Sequence, residues 1–263
     1  MIGERKKTMK QRISTPLRLA LLLLSLLLLL CSCGGVPRMK VEENRYHNSK
    51  SGITYLEAPL CYKASSYRKN GAVAKISEKK MDDVILYQID GVPSEHMLST
   101  EGFDLFYAEG TTLPTLSQMD PYRVHLGQSD AITVTFSMIT DAKDVAALLA
   151  TYQGAISFAE SEVYWVLMDY EKYELRFESE QYPGIYYYLD YYHCAEEIII
   201  EDLVQDPTNF EHRFQGVEVT VSEYKGAYYA AYHFGYGVLR DPETGICYPA
   251  ADIVGPYINE IDE

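Results

Sequence analysis

The sequence predicts an α+β fold, a mainly antiparallel β-sheet carrying one amphipathic helix. Three observations predict it. Short runs of alternating, β-branched or aromatic residues recur between Gly, Pro, Asn and Asp turn signals along most of the chain. One stretch, 142–153, switches to a helical period. Tyrosine, which suits half-buried strand positions, is over-used: 24 Tyr stand against eight Phe and one Trp.

Taken in order, residues 53–56 (ITYL) lead to Pro59 and read as a short first strand, and 73–76 (VAKI) as another. Residues 83–90 (DVILYQID) form a strong strand ended by Gly91 and Pro93. Residues 105–108 (LFYA) stop at Gly110, 123–126 (RVHL) lie between Pro121 and Gly127, and 132–138 (ITVTFSM) nearly alternate. The period then changes. Val145, Leu148, Leu149 and Tyr152 sit at i, i+3, i+4 and i+7, one helical face. Asp141 suits the N-cap, Asp144 the positive helix start and Gly154 the C′ position.

Residues 162–170 (EVYWVLMDY) and 173–179 (YELRFES) are expected to pair as antiparallel strands around Glu171-Lys172. In the second, Leu175 and Phe177 face one way while Glu174, Arg176 and Glu178 face the other, giving one solvated face. Pro183-Gly184 turns the chain into 185–193 (IYYYLDYYH), a strand with tyrosine on both faces. Strands are also expected at 217–221, 227–234 and 237–240. The turn at 241–245 (DPETG) has Pro early and Gly where positive φ is needed, so 237–249 is a hairpin. A short closing helix is expected at 252–261, with Gly255-Pro256 at its start because proline disrupts a helix interior.

Ahead of this body, Lys6, Lys7, Lys10, Arg12 and Arg18 precede an apolar stretch from Leu19 to Leu30 that contains a single serine. A basic head, a short apolar core and a small-residue cleavage site make an export signal, and the stretch is too short to span a bilayer. Leu30-Cys31-Ser32-Cys33 resembles the lipobox of bacterial lipoproteins, with Leu three residues before Cys33 and a small residue just before it. The resemblance implies cleavage after Ser32, a diacylglycerol thioether on Cys33 and acylation of the new amino terminus. That gives a lipid anchor on the outer face of the cytoplasmic membrane, or in the outer membrane of a Gram-negative cell. Residues 1–32 are then the cleaved signal, and 33–51 the lipidated cysteine and a flexible tether. Residues 52–263 are the folded body, with 127–131 as the place where it would divide if it held two domains. The body also resembles uncharacterised lipoproteins of Gram-positive bacteria, in its β strands, short Asp-capped helix and D-x-x-T-G hairpin. That resemblance implies no activity.

The whole chain carries a formal charge of −15, and residues 1–32 contribute +5 from six Lys or Arg and one Glu, which leaves −20 on the remainder. Such an acidic surface repels phosphate backbones and excludes nucleic acid as an expected partner. After Cys33 come Cys61, Cys194 and Cys247, whose pairing the sequence leaves open.

Catalytic chemistry is not legible. There is no His-Glu-x-x-His, and His193 and Cys194 would point to opposite faces of a strand, so neither a metal nor a cofactor is expected. Gly127-Gln128-Ser129-Asp130-Ala131 matches a nucleophile elbow only in part, and precedes a strand rather than a helix. Paired acids such as Asp82-Asp83, Glu196-Glu197 and Glu201-Asp202 are read as solvated surface. The remaining candidate is aromatic. Tyr186, Tyr188 and Tyr192, with Tyr228 and Tyr232, would line one sheet face if their strands were neighbours, and such a face could bind a protein, peptide or glycan. The competing reading is ordinary core packing. The expected function is a lipid-anchored, non-catalytic binding module. The alternative is an extracytoplasmic hydrolase of wall polymer, glycan or peptide.

Overall fold

The computed structural model describes residues 35–77, 83–129, 133–154, 156–167, 170–194, 197–250 and 253–259. The signal segment and Cys33 lie outside these residues, as do Asp82, Asp130, Ala131, Glu196, Asp252 and Ile261. The chain divides into residues 1–37 and a compact unit from Arg38 to Glu263. Within the latter the fold is the expected α+β type, mostly antiparallel strand.

The first sheet holds seven strands in the order β1-β2-β3-β8-β7-β6-β5. These are β1 (Lys40–Glu42), β2 (Arg45–Asn48), β3 (Ile53–Glu57), β5 (Ala72–Ile76), β6 (Val84–Gln88), β7 (Met97–Ser99) and β8 (Leu105–Ala108). β1 and β2 correct the tether expected over 33–51. Glu43 (φ 47) and Asn44 (φ 63) form a two-residue turn of the kind that closes hairpins. Tyr55, Leu86, Leu98 and Phe106 fill the core of this sheet.

The second sheet positions the candidate site. Its order is β10-β9-β12-β13-β17-β18-β11, with β4 also paired to β13. The strands are β4 (Tyr62–Ala64), β9 (Arg123–Ser129), β10 (Thr133–Ile139), β11 (Phe158–Ala159), β12 (Glu171–Glu178), β13 (Ile185–His193), β17 (Gly237–Arg240) and β18 (Ile246–Ala250). β13 is the spine, with β12 along one edge and β4 and β17 sharing the other. The division suggested at 127–131 falls inside the β9–β10 hairpin, so there is no boundary there. Between β8 and β9 a one-turn helix, α1 (Leu116–Met119), is closed by a Thr115–Gln118 capping box.

Alternation along β12 and β13 sorts side chains by face. Tyr173, Leu175, Phe177, Ile185, Tyr187, Leu189 and Tyr191 enter the largest core. The predicted helix, α2 (Ala142–Tyr152), covers that face with Val145 and Leu148, each fully buried aliphatic contributing roughly 1.5–3 kcal/mol. Asp141 caps it by accepting from the Lys143 N–H at 2.7 Å. Its end differs from expectation: Gln153 closes it in right-handed geometry, and Gly154 is not left-handed. Gly184 (φ +93) does turn as predicted, and any side chain there would strike Val92. Asp241 pins the predicted β17–β18 turn, accepting from the N–H groups of Glu243 (2.8 Å) and Thr244 (3.3 Å) and from the Tyr152 hydroxyl (2.9 Å).

Residues 162–170 are the largest correction. The expected strand is a helix, α3 (Glu160–Leu167), and β12 pairs with β13 instead. β-branched and aromatic content suggested a strand, but tertiary packing outweighs propensity. Val163 and Leu167, one helical turn apart, enter the second core beside Phe158, Ile198 and Phe234. Glu160 and Glu162 favour the positive helix start, where Glu162 accepts from the Ala159 N–H at 2.8 Å. That core also receives a three-stranded sheet ordered β14-β16-β15, made of β14 (Ile199–Val204), β15 (Glu218–Tyr224) and β16 (Ala227–His233). The closing helix is α4 (Gly255–Asn259), starting at Gly255-Pro256 as expected.

Candidate functional site

The face of the second sheet opposite the core is polar and networked. Cross-strand register brings Glu178 beside Tyr186 and Arg123, Arg176 beside Tyr188 and His125, and Glu174 beside Asp190. At one end Glu178 accepts from Arg123 Nε (2.5 Å) and the Tyr122 hydroxyl (3.0 Å), with His125 Nε2 at 2.6 Å. Burial alone would raise this carboxyl, but the hydrogen bonds from Arg123, His125 and Tyr122 hold it down at about 2.

At the other end Asp190, whose side chain is 1 % exposed, accepts from Tyr188 (2.5 Å) and Arg240 (2.8 Å) and pairs with Lys172 at 2.8 Å. Arg240 also binds Glu160 at 2.8 Å. Glu174 and Asp190 are like charges directly opposite one another, an arrangement that costs stability unless cations neutralise it. Lys172 and Arg240 do so for Asp190, and Arg176 stands 3.8 Å from Glu174. Burial and then the Asp190 charge push the Tyr188 hydroxyl far above its ordinary range, so it stays a donor.

Between these ends lies a cleft of about 620 Å3, within the usual range for small-ligand sites. The sheet supplies its floor through His125, Thr135, Glu174, Arg176, Tyr186 and Tyr188. Leu60, residues 63–65, the connection 101–103 and Pro242 supply the rest of its lining. Tyr186 packs on the His125 ring at 5.2 Å between centroids. Arg176 donates to Thr135 Oγ1 at 3.1 Å, while its Nε is buried with no hydrogen-bond partner. Lys63 pairs with Asp104 at 2.8 Å, and Glu101 accepts from the Tyr87 hydroxyl at 2.7 Å.

Two lining residues are unusual. Leu60 is 54 % exposed and Phe103 42 % exposed. Phe103 also has φ 64, a left-handed conformation that a bulky residue adopts only under constraint. Thr100 imposes it, its hydroxyl accepting from the N–H groups of Gly102 (3.2 Å) and Asp104 (3.0 Å). Tyr67 meets the Phe103 ring edge-on at 5.6 Å.

The five tyrosines singled out in sequence do not share a face. Tyr186 and Tyr188 line the cleft. Tyr192 points from the same polar face toward the second core. Tyr228 and Tyr232 belong to a different sheet, because β16 pairs with β14 and β15 and not with β13. Tyr232 is core: it is 1 % exposed, meets Phe214 edge-on at 5.2 Å, and accepts from the Arg213 N–H at 3.0 Å. Sequence reasoning missed Leu60, Phe103, His125 and Arg176. The alternation around Arg176 did mark a face, but one read as merely solvated.

Other chemistry is weaker. Cys61, Cys194 and Cys247 are free and buried, and burial pushes their thiols up to about 11, 12 and 12, which removes thiolate reactivity at neutral pH. Thr220 Oγ1 lies 2.5 Å from His233 Nε2, and His233 Nδ1 lies 2.9 Å from Glu197 Oε2. Thr220 and Glu197 of this hydroxyl–imidazole–carboxylate chain are exposed, and none of the three lines the cleft. Among the described residues no cluster of His, Cys, Asp and Glu is arranged to hold a metal. Comparison with protein-family models, with curated proteins and with solved structures returns no match.

Proposed function

We propose that this protein is a lipid-anchored binding module without catalytic activity, held through Cys33 on the outer face of a bacterial membrane and binding its ligand in the cleft of the second sheet. The cleft carries the reading. It gathers side chains from the second sheet and from the β7–β8 connection of the first, holds a strained exposed aromatic at Phe103, and places the Arg176 guanidinium in its floor. Strain retained at an exposed position is characteristic of sites that a fold pre-organises for contact. The anchor reading rests on Leu30, Ser32 and Cys33.

Mass spectrometry tests the anchor: a Cys33→Ala chain should lose its acyl mass and appear in the medium, and continued lipidation of that variant refutes the assignment. Calorimetric titration with oligosaccharides and short peptides tests the cleft. Saturable binding that weakens at least tenfold in Tyr188→Ala supports the module, and binding indifferent to that change places the site elsewhere. A second reading, hydrolysis of a glycan, has one observation in its favour: Glu101 and Glu174 line the same cleft. Two carboxyls across a sugar are what glycoside hydrolysis requires. Turnover of any oligosaccharide that stops in both Glu101→Gln and Glu174→Gln would replace the binding reading.

A further inference from the structure

We infer that the cleft takes a short neutral oligosaccharide. The inference rests on the cleft being the ligand site and adds the chemical class of the ligand. Charge decides first. The ionic side chains lining the cleft balance, Lys63 and Arg176 against Glu101 and Glu174, while residues 33–263 together carry −20. An anionic ligand would meet that repulsive field without a compensating positive excess in the cleft. A strongly cationic one would meet no negative excess there either.

Backbone geometry decides second. Extended peptides are captured by pairing along a free sheet edge or by an apolar groove that takes a helix. Here the floor is a sheet face: Thr135 comes from the edge strand β10, but the other floor residues stand on β9, β12 and β13, which are paired on both sides. Their N–H and C=O groups are committed to the ladder, so the ligand is read by side chains alone.

The side chains then describe the ligand. Tyr186, Tyr188, Phe103 and Leu60 offer flat and apolar surface. An aromatic face can cover the C–H face of a pyranose ring. Around them donors and acceptors stand as neighbours: Arg176 with Glu174 at 3.8 Å, and Arg176 with Thr135 at 3.1 Å. A sugar hydroxyl both donates and accepts, as other hydroxyls do, so vicinal hydroxyls are satisfied by adjacent groups of opposite type. Arg176 lines the cleft with one N–H given to Thr135, and its guanidinium has further donors that a ligand oxygen can meet.

Isothermal titration of the full chain in a polyoxyethylene detergent, which carries no sugar, tests this. The probes are cellotriose and N,N′,N″-triacetylchitotriose as neutral saccharides, trigalacturonic acid as the anionic counterpart, and tetra-alanine as a peptide. At least one neutral trisaccharide should bind saturably, with an affinity that changes less than about twofold between 50 and 500 mM salt. Phe103→Gly should weaken it at least tenfold while leaving the melting temperature unchanged within about 3 °C, because glycine accepts the left-handed φ without strain. A merely structural Phe103 would do the reverse, losing stability and not binding. Arg176→Ala, monitored by circular dichroism for folding, should weaken binding by a similar factor. If only trigalacturonic acid or tetra-alanine binds, and Phe103→Gly abolishes it, the cleft is the site and the saccharide inference is overturned. If no probe binds, the inference fails together with the reading of the cleft.

Discussion

β13 carries five tyrosines and β16 three, in strands of similar aromatic content, yet the two do different work. On β13, Tyr187 and Tyr191 enter the main core while Tyr186 and Tyr188 face the polar network and the cleft. On β16, Tyr228 and Tyr232 pack into the second core. The side chains are the same; what differs is the layer opposite each face. β13 has a covered apolar face and a charged one held open by paired ions. The inward face of β16 meets Phe214, Ile200 and Phe234. A tyrosine reports a half-buried strand position and does not say which half is buried or against what.

The sharpest way to break this comparison is Tyr232→Ala. If β16 is structural, losing a ring that is 1 % exposed should cost about 3–5 kcal/mol, read as a fall in melting temperature of roughly 10 °C or more, with no change in cleft affinity once the protein is folded. A variant that melts normally but no longer binds would move β16 to the functional side.

Asp190 tests the opposite claim, that the charged face of β13 is held open by ions. Arg240→Met leaves Asp190 buried with one cation fewer and should cost about 3 kcal/mol by denaturant titration. Replacing Asp190 and Arg240 together by Leu and Met should recover most of that loss, because the uncompensated charge is then gone. A double variant no better than the single one would show that the ions are not what hold this face.

Glu178 sharpens the comparison through pH. Its carboxyl is depressed from 4.5 to about 2 in the folded state, so its contribution is complete above about pH 4.5 and is lost as pH falls toward 2. Because the group is partly solvated, the loss should be on the order of 1–2 kcal/mol. Unfolding curves of the parent should weaken across that window, and those of Glu178→Gln should be flatter there. Identical slopes would remove Glu178 from the network. The smallest effect is expected at Thr220→Val, within about 0.5 kcal/mol and without change in binding, since its hydroxyl serves an exposed contact to His233.

Local rules made much of this fold legible. β6, β8, β13, β16 and the β17–β18 hairpin announce themselves by turn residues and strand composition, and α2 by one apolar face behind an Asp cap. The β1–β2 hairpin could have been read from its Glu-Asn turn but lies in a polar segment whose strands bury little, since all of β1 is exposed. α3 was not legible as a helix, because its composition favours strand and only the partners of Val163 and Leu167 decide otherwise. Of the candidate site only Tyr186 and Tyr188 were visible. Leu60 lies 116 residues and Phe103 73 residues before Arg176, and no local period links them.

By itself the sequence determined the fold class, most of the strand and turn periodicity, the amphipathic helix α2 and the acidic charge, because each follows from nearest-neighbour sterics, side-chain alternation and counting. Only the tertiary structure decided that β13 and β16 lie in different sheets, that Glu174 opposes Asp190, and that Phe103 stands strained at the cleft. Those outcomes depend on which strands meet, a matter of long-range packing free energy that no short window of residues contains.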